Sequence, residues 1–416
     1  MHSFLSLFLC LHLLVYSALF PSVQALSSQI LFTETQGTAE ENAQAPSADA
    51  KTAQDTPGIT VTAPSALLME ASTGTIIFEK DSHSIRHPAS ITKIMTLILI
   101  FDALKKGAIH LTDTVNVSEH AASMGGSQVF LEPGEAQDVE IMIKCISIAS
   151  ANDACVAMAE FISGSEANFV AEMNDRAKSL GMKDTTFVNC CGLDTDGHMT
   201  SAYDVALMSR ELTVRYPEIH NYCTIWMDTM THVTARGSEE FGLTNTNKLI
   251  RQYEYATGLK TGSTGLAKFC VSATAEKDGM ELIAVIMGAE NPNDRFQDAA
   301  ALLNYGFSKC NIFTDEHGET LPELSVKKGT EKLLSVEFKN PFQYLSAKGD
   351  DFSTIEKQIS LPEYVTAPVK KGDKVGEAVY SLGSEKIGSV DIIAADDIAQ
   401  ADFSDYMKEI FLKYFS

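Results

Sequence analysis

The sequence predicts a mixed α/β (α+β) fold, followed by a small all-β unit and a terminal amphipathic helix. Three observations point there. Strand-like apolar runs at residues 66–69 and 75–78 return at 271–274 and 282–287, and helical periodicity fills the interval between them. Beyond residue 320 apolar residues alternate between recurrent Gly-containing turns. In the last twenty residues Phe403, Tyr406, Met407, Ile410, Phe411 and Tyr414 fall on one helical face.

In chain order, residues 1–25 read as a secretory signal peptide. Phe4 to Phe20 form an apolar run, and Val23-Gln24-Ala25 fits a small-residue cleavage site. No Lys or Arg precedes the run, so the competing reading is an uncleaved anchor. The run is interrupted by Ser6, His12 and Ser17 and is shorter than the ~18 apolar residues a span needs, which favours cleavage. Residues 26–58 are rich in Ala, Ser, Thr, Gln, Glu and Pro and form a flexible leader, with too few large apolar groups to order themselves.

A domain is expected over 59–312. Ser72-Thr73-Gly74 signals a hairpin between the first two strands, and Pro88 opens a helix bearing Ile91, Ile94, Met95, Leu97 and Ile98 at helical spacing. Further helices are expected at 138–163, 166–180, 202–214 and 294–306, and strands return after Thr231 with a turn at Lys277-Asp278-Gly279. The β-rich domain spans 318–395, where Leu334, Val336 and Phe338 alternate and turns fall at Lys371-Gly372-Asp373 and Leu382-Gly383-Ser384. The amphipathic helix takes 396–416.

A net charge of −23, from 55 acidic and 32 basic residues in 416, repels phosphate backbones and argues against nucleic acid as a partner. A carboxylate substrate therefore needs a local, well-placed cation. Outside the signal there are seven cysteines, an odd and scattered set that reads as buried small hydrophobes rather than a disulfide framework or a zinc site. No metal or other cofactor is expected. The adjacent Cys190-Cys191 has no evident role at this level.

Three short elements carry chemistry. In Ser90-Ile91-Thr92-Lys93, a helix start puts Lys93 one turn above Ser90 on the same face. A serine nucleophile needs a base within hydrogen-bond reach, and an amine neutralised by burial serves. Alone, Ser90 reads as a helix cap, and Ser325-Val326-Lys327-Lys328 repeats the spacing in a solvated stretch. Ser150-Ala151-Asn152, at a junction between two helices, could relay a proton through Ser150 and hold a substrate amide through Asn152. Alone it reads as a turn with a cap. In the third element, Lys260 and Thr261 could bind the free carboxylate of a peptide end and Gly262 allows close backbone approach. The N–H of Ser263 could join that of Ser90 in an oxyanion hole. It precedes the strand-like run containing Val271, and in isolation it too reads as a turn.

In this order the three elements resemble those of penicillin-recognising serine enzymes, in which a Ser/Lys pair, a Ser-x-Asn and a Lys-Thr-Gly meet in one cleft. Neighbouring stretches narrow the resemblance to the low-molecular-mass penicillin-binding proteins of serine D-alanyl-D-alanine carboxypeptidase type. They are Pro88 to Lys93, Ser127 to Gly134, Ala151 to Ala159, Thr200 to Asp204, Asn245 to Leu249, Gly258 to Gly262, Asn304 to Phe307 and Val369 to Gly376. The likeness covers roughly 60–416. It implies a transpeptidase/β-lactamase-like domain with an antiparallel sheet flanked by helices and a helical lobe bearing Ser150. It also implies an acyl-enzyme that releases terminal D-Ala from peptidoglycan stem peptides, with β-lactam antibiotics acylating the same serine.

The implied place of action is outside the cell, at the outer face of the cytoplasmic membrane and the cell wall. The helix at 397–416 would make a peripheral membrane contact, although Asp402, Asp405 and Glu409 beside Lys408 and Lys413 weaken its pull toward anionic lipid. One departure stands out: Ala267-Lys268-Phe269-Cys270 carries Lys268 where the family usually has Gly. The competing functions are a non-catalytic penicillin-binding scaffold, which the intact triad of motifs argues against, and a β-lactamase. The latter would need an acidic residue to activate water, and the sequence offers no compelling one.

Overall fold

The computed structural model describes residues 59–415, so the expected signal peptide (1–25) and flexible leader (26–58) lie outside the described residues. The first sheet is antiparallel and five-stranded. It is built from β1 (Ser65–Glu70), β2 (Ile76–Lys80) and, after a long helical excursion, strands near residues 256–289. The β1–β2 turn closes on Glu70, whose buried carboxylate accepts hydrogen bonds from the backbone and hydroxyl groups of Ser72 and Thr73.

The excursion contains α1 (Lys93–Lys105), α2 (Asn152–Ser163), α3 (Glu166–Ser179) and α4 (Ala202–Arg215). In α1 every residue from Lys93 to Ala103 is buried. A helix apolar around its whole circumference belongs at the centre of a core rather than on its surface. The single helical region expected at 138–163 is instead broken. A short helix ends in a wide turn at Cys145–Ala149, Ser150 takes a left-handed conformation (φ 62°), and α2 restarts at Asn152. Next comes the hairpin β3 (Met227–Thr234) and β4 (Gly237–Thr244).

The chain then completes the first sheet with β5 (Ala256–Thr264), β6 (Lys268–Lys277) and β7 (Met280–Ala289), in the order β2-β1-β7-β6-β5. Asp278 and Gly279 both have positive φ, as a two-residue hairpin turn requires. Leu67, Met69, Ile283, Val285 and Met287 face the core shared with α1 and α4, whereas Ala66, Leu68, Leu282, Ala284 and Ile286 face the opposite core under α5 (Asp294–Lys309). Burial on both faces explains why these strands read as continuous apolar runs instead of alternating ones. Each fully buried aliphatic side chain contributes roughly 1.5–3 kcal/mol. The sheet is thus clamped between two cores, and its outer strand β5 is left as an edge.

The C-terminal β unit centres on an antiparallel four-stranded sheet of β8 (Val336–Phe338), β9 (Ile355–Ser360), β10 (Lys374–Leu382) and β11 (Glu385–Ala394), ordered β8-β11-β10-β9. Phe342 stacks on Tyr380 in its core at 3.7 Å between ring centres. The last helix, α6 (Phe403–Phe415), turns Phe403, Tyr406, Met407, Ile410, Phe411 and Tyr414 outward, with Phe403 80% exposed. Among the described residues, no helix is long and apolar enough to cross a membrane.

Candidate active site

The Lys260–Thr264 stretch lies on the edge strand β5 itself, paired residue for residue with β6, and not in a turn ahead of it. Gly262 brings this strand against the turn that carries Ser90. A Cβ at Gly262 would sit 3.0 Å from the backbone nitrogens of Ser90 and Ile91 and from the Pro88 carbonyl. That turn is a short 3-10 segment, Ala89–Thr92, which runs into α1. Ala89 holds φ 48°, a left-handed conformation that costs a non-glycine residue about 1 kcal/mol and persists only where the surroundings enforce it.

Lys93 is fully buried, and its Nζ lies 2.9 Å from Ser90 Oγ, 2.6 Å from Asn152 Oδ1 and 2.7 Å from the Cys191 carbonyl oxygen. The last two can only accept hydrogen bonds, so they fix the direction of the amine and leave its third position facing the hydroxyl. Asn152 is held in turn, its Nδ2 donating to the Gly125 carbonyl and its backbone N–H to that of Ser127.

Lys260 is the second buried amine. Its Nζ donates to Ser150 Oγ (2.8 Å) and to the Thr261 carbonyl (3.1 Å). Burial, and after it the nearby Lys93 charge, push the Lys260 ammonium well below its ordinary pKa. Ser150, Asn152, Thr261 and Gly262 are buried around the two amines, Ser90 is half-buried and Ser263 is exposed. Through these contacts the structure brings Ser90, Lys93, Ser150, Asn152, Lys260, Thr261 and Gly262 together where the start of α1, the broken helix and the sheet edge meet, with Ser263 next along β5. The duplicate spacing at Ser325 and Lys328 is on the exposed face of the β unit.

Several supports were not legible beforehand. Cys190 and Cys191 act through their backbones: the Cys190 carbonyl accepts from Thr96 Oγ1 (2.5 Å) and that of Cys191 from Lys93. Gly192 then packs so tightly that a Cβ would come within 1.9 Å of the Ala89 carbonyl. His198 bridges Thr92 Oγ1 and the Val188 N–H, and burial holds its pKa down to about 4. Because Nδ1 accepts, Nε2 carries the proton and donates to Thr92. Thr246 Oγ1 meets Thr261 Oγ1 at 2.7 Å, and Arg295 Nη1 donates to the Gly262 and Cys270 carbonyls across β5 and β6. Short motifs give no signal for these contacts, which arise from chain closure. The seven described cysteines are all free and buried. Lys268 occupies a left-handed position (φ 58°) that Gly adopts without strain, and its Nζ lies 3.6 Å from the Glu290 carboxylate.

An edge strand, the turn that carries Ser90 and two buried amines meet here, the arrangement of a penicillin-binding serine hydrolase. Residues 49–291 match the D-alanyl-D-alanine carboxypeptidase (peptidase S11) family, and 312–400 match the penicillin-binding protein 5 C-terminal domain. The chain is 43% identical to the D-alanyl-D-alanine carboxypeptidase DacF of Bacillus subtilis, over 83% of this chain and 88% of that one. It is 31% identical to DacC of Escherichia coli, over 93% and 94%. Penicillin-binding protein 5 of Haemophilus influenzae superposes with a TM-score of 0.68 at 29% identity, covering 82% of this chain and 99% of that one. The chain belongs to the D-alanyl-D-alanine carboxypeptidase family of serine-type hydrolases. The α/β fold with a C-terminal β domain and the enzyme class expected from sequence are both borne out.

Proposed function

We propose that this chain removes the terminal D-alanine from peptidoglycan stem peptides ending in D-Ala-D-Ala, with Ser90 as the acylated nucleophile. The observation that carries the reading is the environment of Lys93 Nζ, tied to two pure acceptors and aimed at Ser90 Oγ. Abstraction of the hydroxyl proton needs a lone pair on this amine. Burial and the neighbouring Lys93 charge disfavour the Lys260 ammonium, and an incoming carboxylate beside it favours that charge again. On that geometry Lys93 serves as the base.

Ser90 Oγ then attacks the carbonyl carbon of the penultimate D-Ala. The N–H groups of Ser90 and Ser263 receive the oxyanion, Asn152 holds the substrate amide, and Lys260 with Thr261 grips the terminal carboxylate. Collapse breaks the C–N bond, and Ser150 relays a proton to the departing amine. Water hydrolyses the resulting ester and frees Ser90. A β-lactam ring opens on the same oxygen.

The enzyme works outside the cytoplasm, where this polymer lies. The outward aromatic and aliphatic face of α6 supports peripheral attachment to the outer surface of the cytoplasmic membrane. The test is incubation of the folded protein with a D-Ala-D-Ala peptide. Release of one D-Ala per peptide, lost in Ser90→Ala, is expected; no release from the folded wild type would refute the reading.

A further inference from the structure

The polarity of the cleft sets where the rest of the substrate goes. With the terminal carboxylate at Lys260 and Thr261 and the reacting carbonyl opposite Ser263, the residue preceding D-Ala-D-Ala runs outward past Thr264, the end of β5. There the strand meets the loop 189–194. Thr264 Oγ1 donates to Asp194 Oδ1 at 2.8 Å. The loop is stapled internally, since Asn189 Oδ1 accepts from the N–H groups of Gly192 (2.7 Å) and Leu193 (3.2 Å). It is also stapled to the site through Cys191 and Gly192. Asp194 is exposed, and among the described residues it has no cationic partner. Lys268, the ladder partner of Thr264, lies by Glu290.

We propose that Asp194 is a specificity-determining residue that reads a free side-chain ammonium on the residue immediately before D-Ala-D-Ala. This rests on the carboxypeptidase reading above. The substrate class is then stem peptides carrying a diamino acid at that position with its side-chain amine unacylated. An acylated amine bears no charge, so the carboxylate separates free stems from those whose amine has been consumed.

The experiment uses the full chain and two peptides, Nα-acetyl-Lys-D-Ala-D-Ala and its Nε-acetylated counterpart, with benzylpenicillin acylation as a control. Wild type should favour the free amine by about 2- to 5-fold in kcat/KM, mainly through KM, as suits an exposed charged contact. Asp194→Asn, which keeps an acceptor for Thr264, should lower only the free-amine value to that of its counterpart. Asp194→Glu should restore part of the preference. The acetylated peptide and penicillin should react at unchanged rates. Equal values for the two peptides in wild type, an unaltered ratio in Asp194→Asn, or an equal loss on both peptides would overturn the proposal while leaving the carboxypeptidase reading intact. Failure of wild type to cleave either peptide would instead overturn that reading, and this inference with it.

Discussion

Lys260 Nζ lies 2.8 Å from Ser150 Oγ although 110 residues separate them. This contact joins the edge strand of the sheet to the broken helix, so the proposed grip on the carboxylate and the proposed proton relay are mechanically one unit. Either residue shifted alone would disturb both tasks.

Lys260→Ala should therefore act most strongly on substrates with a free terminal carboxylate. Losing a hydrogen bond to a charged group predicts a fall in kcat/KM of about 10- to 100-fold. A substrate amidated at that carboxylate should change far less. The comparison is a steady-state assay on the matched pair.

Lys93→Ala should slow acylation by benzylpenicillin about 10²- to 10⁴-fold, the usual contribution of a positioned base. Circular dichroism should show the fold retained. Stopped-flow acylation at an unchanged rate would count against Lys93 as the base.

Gly192→Ala should cost stability, about 1–3 kcal/mol, because its Cβ would lie within 1.9 Å of the Ala89 carbonyl at a φ of 89° that alanine resists. Relief of the clash must move either the Ser90 turn or the Cys191 carbonyl. Acylation should fall together with the denaturant midpoint.

His198 gives a signed pH dependence. Its folded pKa of about 4 lies below the ordinary histidine value near 6.5. The unfolded chain thus takes up the proton first, so this contribution is complete above about pH 6.5 and is lost as pH falls toward 4. The loss amounts to about 3 kcal/mol. Urea titrations from pH 7 to pH 4 should show that slope, reduced in His198→Asn.

Truncation before Phe403 should abolish sedimentation with anionic phospholipid vesicles and leave hydrolysis of a soluble peptide unchanged. The exposed apolar face of α6 is remote in sequence from the strands of the candidate site.

What the sequence conveys follows from the range of the interactions. Ser90 and Lys93 are one helical turn apart, so local periodicity suffices to place them together. The strands at 282–287 are legible because burial on both faces leaves an unbroken apolar run. Lys260 to Thr264 looks like a turn because its Thr, Gly and Ser are typical turn residues, and only pairing with β6 makes it a strand. The role of Cys190 and Cys191 is invisible for a different reason. Their backbone carbonyls do the work, and the Lys93 contact closes 98 residues of chain. Backbone acceptors carry no residue signature, whereas the unusual pair of buried thiols draws notice and makes neither of these contacts.

The most direct measurement is tandem mass spectrometry of the protein after benzylpenicillin treatment, with the adduct located by peptide mapping. One penicilloyl group on the Ser90-containing peptide, absent in Ser90→Ala, is the predicted result. An adduct on any other residue, or none on the folded wild type, would contradict the account.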